Sequence, residues 1–226
     1  IIPVHDLGYL PGHGVFFTMK PMQGQPLNDL LRQVELGDGE FLQKYNFFTL
    51  LSTFRRVCDA VAFAHSRGIV HRDIKPHNIM IGDFGEVVLM DWGLAKRISE
   101  EEPPIAGMAS SDGNAEATEI GVIKGSPAYM PPEQARGDVD TIDARADIYS
   151  LGAILFHIVA GCPPRHPDPE DIQVLLDQVI AGDLPRMRDL DRRAPLELAA
   201  ISRAACLLYT SDAADVFLFF LFALPL

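Results

Sequence analysis

The chain has 226 residues, 48% of them apolar, and a formal net charge of −12 from 19 Lys and Arg against 31 Asp and Glu. That length and composition suit a soluble globular protein with one sizeable core, or two lobes of one. The acidic balance excludes DNA, RNA or an anionic membrane as the main partner, because those bind basic surfaces; an anionic nucleotide would need a local exception built from metal ions and a few cations.

The opening Ile-Ile-Pro-Val carries neither an initiator Met nor a signal-peptide pattern and reads as a chain entered in mid-domain. Residues 4–9 and 15–19 flank Pro11-Gly12-His13-Gly14, a turn signal that predicts a β-hairpin. After a break at 21–24, a short helix is predicted over 26–33 and a loop over 37–39. The strongest helix signal covers 47–65, where Phe47, Leu50, Leu51, Phe54, Val57, Cys58, Val61 and Ala62 repeat at helical spacing and Gly68 follows as a stop. Two β-branched runs, 79–81 and 87–90, enclose Gly82-Asp83-Phe84-Gly85 and predict a second hairpin. Residues 99–121, rich in Glu, Pro, Ser, Ala and Gly, can bury little and are expected to be mobile. The segment 147–160 is apolar nearly all round, as a helix inside a core is, and Pro163-Pro164 ends it. Two amphipathic helices are predicted over 170–181 and 195–205. The apolar run 216–226 is shorter than the roughly 20 residues that span a bilayer.

Three polar positions converge. Asn78 immediately precedes the first strand of the second hairpin and Asp91 immediately follows the second, so an antiparallel pairing brings them together. Asp73 lies five residues before Asn78 in the loop entering the strand. Each alone is an ordinary turn former. Grouped, they are hard oxygen ligands of the kind Mg²⁺ takes, one or two carboxylates with waters and phosphates completing the shell.

The string His71-Arg72-Asp73-Ile74-Lys75-Pro76-His77-Asn78 resembles the catalytic loop of protein kinases, H-R-D-x-x-x-x-N. Asp91-Trp92-Gly93 resembles the metal-binding D-F-G with Trp for Phe, and Pro131-Pro132-Glu133 resembles A-P-E with Pro for Ala. Asp147 opens the apolar helix as the family's buried Asp does. Order and spacing agree over about residues 1–205, and the stretch from Gly85 to Gly93 looks like bacterial members of the eukaryotic-type serine/threonine kinase family. The resemblance implies an α+β, protein-kinase-like fold that is partial: a mostly helical lower lobe with a remnant β-hairpin of the upper one. Residues 1–22 would be that remnant and the hinge, 23–205 the lower lobe with its activation segment over 91–133, and 206–226 a non-native tail, since the string from Cys206 resembles one reading frame of a transposase adapter used in DNA library preparation.

The implied activity is ATP-dependent phosphorylation of serine or threonine on proteins, with ATP and Mg²⁺ as cofactors. Asp73 would accept the substrate hydroxyl proton, Lys75 would steady the transferring phosphoryl group, and Asn78 and Asp91 would hold the metal. Met19 would be the gatekeeper at the end of the first hairpin, Lys20 and Met22 would supply hinge backbone groups to adenine, and Met80 would pack against its face, although core packing explains the two methionines Met19 and Met80 equally well. Arg72 would meet a phosphate on the activation loop, with Ser99, Ser110, Ser111 and Thr118 as candidates. His71 reads as a packed structural residue, Gly93 belongs to the metal motif, and Ser126 would bond toward Asp73 and Lys75. Asp147 would accept hydrogen bonds from the loop backbone, a helix N-cap being its simpler reading. Glu133 is expected to stand unpaired, since the family's partner Arg would lie beyond Cys206, where no Arg occurs. The glycine-rich loop, strand Lys and helix Glu of the family would precede Ile1, so the chain as given is expected to bind ATP weakly, to have negligible activity and to expose apolar surface where the upper lobe would pack. A pseudokinase or scaffold is the alternative. Cys58, Cys162 and Cys206 form neither a zinc nor a disulfide pattern, which points to the cytoplasm. No membrane segment is read in this chain, and anchoring of a longer parent stays open.

Overall fold

The computed structural model describes residues 4–37, 39–98, 127–138, 141–165 and 172–207. Strands β1 (Val4–Leu10) and β2 (Gly14–Met19) form an antiparallel hairpin in which Leu7 faces Phe17 and Tyr9 faces Val15. Gly12 and Gly14, with φ of 83° and 86°, take the left-handed conformations the tight turn needs, and His13 N–H donates to Leu10 O at 3.0 Å. The hairpin's apolar side chains remain in solvent: Leu7, Tyr9, Val15 and Phe17 are all more than half exposed.

The two-residue strand β3 (Gln25–Pro26) leads into α1 (Leu27–Leu36), which buries Leu27, Leu30 and Leu31. A short α2 (Gly39–Lys44) begins at the predicted loop and precedes α3 (Phe47–Ser66). Asn46 caps α3 by accepting from Thr49 N–H at 3.0 Å, and Leu50, Phe54, Val57, Cys58 and Val61 form its buried stripe. Strand β4 (Ile69–Val70) pairs antiparallel with β7 (Lys96–Arg97), and everything between them is the region of interest. A single 3₁₀ turn (Pro76–Asn78) opens into β5 (Ile79–Ile81), which pairs with β6 (Val87–Leu89) on one side and β3 on the other. Strand β3 leaves no pattern in the sequence, because it is two residues long and contains Pro, which is tolerated only at a sheet edge.

A second 3₁₀ turn (Pro127–Tyr129) precedes the short α4 (Pro132–Arg136). Helix α5 (Ala144–Ala160) follows, capped by Asp143, whose carboxylate accepts from Arg145 N–H at 2.8 Å, and closed by Gly161 at φ 74°. Every residue from Ala146 to Val159 is buried, so α5 is the axis of the core and α1, α3, the β5–β6 hairpin and α8 (Leu196–Leu207) contribute to the same cluster. Helices α6 (Ile172–Ala181) and α7 (Met187–Leu190) lie between α5 and α8 in the chain. Gly152 lets α8 approach closely: a Cβ there would lie 2.6 Å from Ala205 Cβ and 2.9 Å from Cys206 Sγ. Ser202 Oγ donates to Gly152 O at 2.9 Å across the same contact. Helix α8 continues through Cys206, which is buried, and Leu207, past the expected boundary at 205. The expected mobile stretch 99–121 lies outside the described residues, as do residues 208–226.

Candidate active site

The loop from His71 to Asn78 is fixed from below by one carboxylate. Asp147, in the first turn of α5 and 1% exposed, accepts from His71 N–H and Arg72 N–H, one on each oxygen, both at 2.8 Å. His65 Nε2 shares the first oxygen at 2.7 Å. The helix cap is Asp143, so Asp147 is free of that simpler role. Three donors on one buried carboxylate outweigh its desolvation, which an isolated charge could not survive. Arg72 takes φ 67°, a strained choice for a residue with a side chain, and the two anchored amides that lead into that kink hold it.

His71 is fully buried. Its Nδ1 accepts from Asp73 N–H at 3.3 Å and its Nε2 lies 3.0 Å from Met90 O, so Nε2 carries the proton. Burial holds its imidazole below the ordinary histidine range, outweighing the upward pull of Asp147 and the other nearby charges. A neutral ring packed 4.5 Å from Trp92 is a structural element joining the loop to residue 92.

Asp73, Lys75 and Asn78 form one knot. Lys75 Nζ lies 2.8 and 2.7 Å from the two oxygens of Asp73. Asn78 Nδ2 donates to both Asp73 O and Asp73 Oδ2 at 2.8 Å. Met90 N–H donates to Asn78 O at 2.8 Å, which closes the open end of the β5–β6 hairpin and puts Asp91 next in line. Asp91 is exposed, takes φ 58°, and accepts a long 3.4 Å bond from Gly93 N–H. Trp92 Nε1 donates to Leu89 O at 3.1 Å, so the indole standing where the resemblance expects Phe is satisfied within the turn.

Across from Asp91 and Gly93 lies a cleft of about 470 Å³ whose other wall includes Met19 and Phe17 of the first hairpin. Met19 therefore faces the Asp91 turn across this cleft. Lys20, Met22 and Met80 do not line this cleft; Met80 sits half-buried in β5, opposite Val88 and Pro26. Arg72 Nε donates to Leu94 O at 2.5 Å, while its candidate phosphate partners Ser99, Ser110, Ser111 and Thr118, and also Ser126, lie outside the described residues. Glu133 lies in the first turn of α4 and is 7% exposed. The expectation that it stands unpaired is corrected: it is not without a partner, as a carboxylate buried that deeply requires.

His65 was not singled out in the sequence. The available signal was its place on the buried stripe of α3, four residues after Val61 and seven after Cys58, where a polar ring needs a polar partner.

The sequence profile of the protein kinase domain matches residues 7–205. The chain is 40% identical over 166 residues to the serine/threonine-protein kinase PknD of Protochlamydia amoebophila, covering 70% of this chain and 17% of that protein. It is 36% identical over 202 residues to the DNA damage-responsive serine/threonine-protein kinase RqkA of Deinococcus radiodurans, covering 89% and 27%. It is 39% identical over 155 residues to the PknD of Chlamydia felis, covering 64% and 16%. The chain thus spans only about a sixth to a quarter of the length of these relatives. With most of its length matched and the loop organised around Asp147, the chain belongs to the protein kinase domain family, in its bacterial eukaryotic-type serine/threonine branch.

Proposed function

We propose that this chain is the catalytic part of a kinase that transfers the γ-phosphoryl group of ATP to serine or threonine hydroxyls on proteins. The observation that carries the reading is the knot of Asp73, Lys75 and Asn78 at the mouth of the β5–β6 hairpin, with Asp91 two residues past the end of β6. Asp73 is the proton acceptor: its carboxylate is oriented by Lys75 and Asn78, and it takes the proton as the hydroxyl oxygen attacks. Lys75 supplies a positive charge two residues away, which can turn from Asp73 to the transferring group as negative charge builds there.

The donor set fits a divalent cation. The Asn78 amide nitrogen donates twice to Asp73, which leaves the amide oxygen as the end to offer a metal, and Asp91, the residue after the Met90 amide that pairs with Asn78 O, is exposed. Among the described residues no three His, Cys, Asp or Glu side chains gather into a metal cage. One carboxylate and one amide suit Mg²⁺, which keeps waters and phosphate oxygens in its shell, better than a dedicated protein cage would. When bound, the cation neutralises charge on the phosphates. The proposed layout assigns 1–22 to the upper lobe and hinge, 23–205 to the lower lobe with its activation segment over 91–133, and the part of that segment around 125–133 to contact with the protein substrate. The chain would act in the cytoplasm, where ATP is found; no helix among the described residues is long and apolar enough to cross a membrane.

The test is phosphoryl transfer from ATP to casein by the intact protein and by its Asp73→Ala variant. The variant should lose about 10²–10⁴-fold in rate. Equal rates would remove Asp73 from the chemistry and the kinase reading with it.

A further inference from the structure

A second set of buried polar side chains lies away from the Asp73 knot and is not used by it. Tyr129 and His157 are 4% and 5% exposed. Tyr129 Oη lies 2.6 Å from His157 Nδ1, and the two rings lie edge to edge along that bond, centroids 6.2 Å apart and planes 18° from parallel. His157 Nε2 lies 2.9 Å from Glu35 Oε1. A carboxylate can only accept, so Nε2 carries the hydrogen; in the neutral imidazole Nδ1 is then bare, and the Tyr129 hydroxyl donates into it. The three groups form a relay with a direction, from Tyr129 through His157 to Glu35, joining α1, α5 and the turn before α4.

The relay ends on the segment assigned to the protein substrate. Tyr129 closes the Pro127–Tyr129 turn, in which Met130 N–H donates to Pro127 O at 3.1 Å, and its carbonyl accepts from Ser150 Oγ at 2.9 Å. Two bonds from α5 thus hold this turn, one to its backbone and one to its side chain. The side-chain bond leads on to a group at the surface: Glu35, the penultimate residue of α1, whose side chain is 39% exposed. Helix α1 also packs against the Pro76–Asn78 turn of the catalytic loop, so the same helix touches the loop and steers the docking segment. Without Glu35 the imidazole loses the partner that fixes its tautomer, and the Tyr129 hydroxyl loses a dependable acceptor in a site that water does not reach.

We infer that Glu35, acting through His157 and Tyr129, is a positioning residue for the segment that receives the protein substrate, an inference that rests on the kinase reading above. The test uses the intact protein with ATP and casein. Glu35→Ala should raise KM for casein about tenfold, the scale of a charge-assisted hydrogen bond. KM for ATP and kcat should stay within about twofold, a split that general destabilisation would not give. Tyr129→Phe should match it, and the double variant should be no worse than either alone, because one chain of contacts is cut only once. Independently of activity, the Met130 amide should exchange with solvent about tenfold faster in Glu35→Ala, while the His71 and Arg72 amides held by Asp147 keep their native rates. Additive effects of Glu35→Ala and Tyr129→Phe, or native exchange at Met130, would overturn the relay. If Asp73→Ala leaves phosphoryl transfer untouched, the kinase reading falls, and Met130 exchange still decides whether Glu35 positions the turn.

Discussion

The loop from His71 to Asn78, whose His71 ring packs on Trp92, and the β1–β2 hairpin, which lines a cleft with the same Trp92, are both short segments, yet they are held in opposite ways. The loop has little regular structure of its own and even bends through a positive φ at Arg72, but the distant Asp147 pins its backbone and His71 is fully buried. The hairpin is regular, with its turn and register set by its own residues, yet its apolar side chains lie in solvent. Order in the loop comes from tertiary contacts and order in the hairpin from local ones. Substitutions should therefore act very differently in the two places.

The largest effect is expected at the anchor. Asp147→Ala removes the acceptor of two backbone amides and of His65 at once, leaving buried donors with nothing to meet. It should cost about 3–5 kcal/mol in denaturant unfolding, the scale for breaking a buried charged network. A loss below about 1 kcal/mol would mean that the loop is held by something other than Asp147.

Next is the close contact of α5 with α8. A methyl group at Gly152 would meet Ala205 Cβ at 2.6 Å, Cys206 Sγ at 2.9 Å and Ser202 O at 3.1 Å. Two of these are packed side-chain atoms and one is backbone, so none is the free end of a flexible chain. Gly152→Ala should cost about 1–3 kcal/mol through overpacking. An unchanged unfolding midpoint would show that α8 can shift without loss.

These sites also mark what the sequence made legible and what it did not. The core helix was plain from its apolar content, and the loop from its residue types and spacing, because burial and motif chemistry both leave their trace in residue identity. Asp147 could be placed for the same reason. His65, Glu35 and His157 could not be paired, because their partners lie 82 and 122 residues away and nothing local distinguishes such a residue from a solvated one. The strands β3, β4 and β7 are two residues each, too short for a period of two to show. For Glu133 the sequence shows the absence of the family's arginine but not the burial that demands some other partner.

A smaller effect is expected at the cap of α5. Partial burial pushes the Asp143 carboxyl up, but hydrogen bonds from the Arg145 side chain and backbone outweigh it and hold the group below the ordinary carboxylate range. Asp143→Ala should cost about 1 kcal/mol at neutral pH. The sign of the pH dependence follows: a lowered folded-state value means stability that is fully present above the ordinary range and is lost as pH falls through the lowered one. The gap between the native protein and Asp143→Ala should therefore be constant at neutral pH and close below about pH 4. A gap that persists in strong acid would assign the effect to packing.

The smallest effect is expected in the hairpin, where a null result is informative. Val15 faces Tyr9 across the strands, and the two are 71% and 69% exposed. Val15→Thr keeps the branched shape that suits a strand and exchanges one methyl for a hydroxyl that water can reach. With no burial to lose, the change should stay within about 0.5 kcal/mol, the range of ordinary surface substitutions. The same exchange at a buried position would cost more, because a hydroxyl placed in a core needs a partner. A loss above about 1.5 kcal/mol in the intact protein would show that another part of it covers this face and excludes water there. In that case the contrast with the loop would be one of missing neighbours, and the hairpin too would depend on distant contacts for its order.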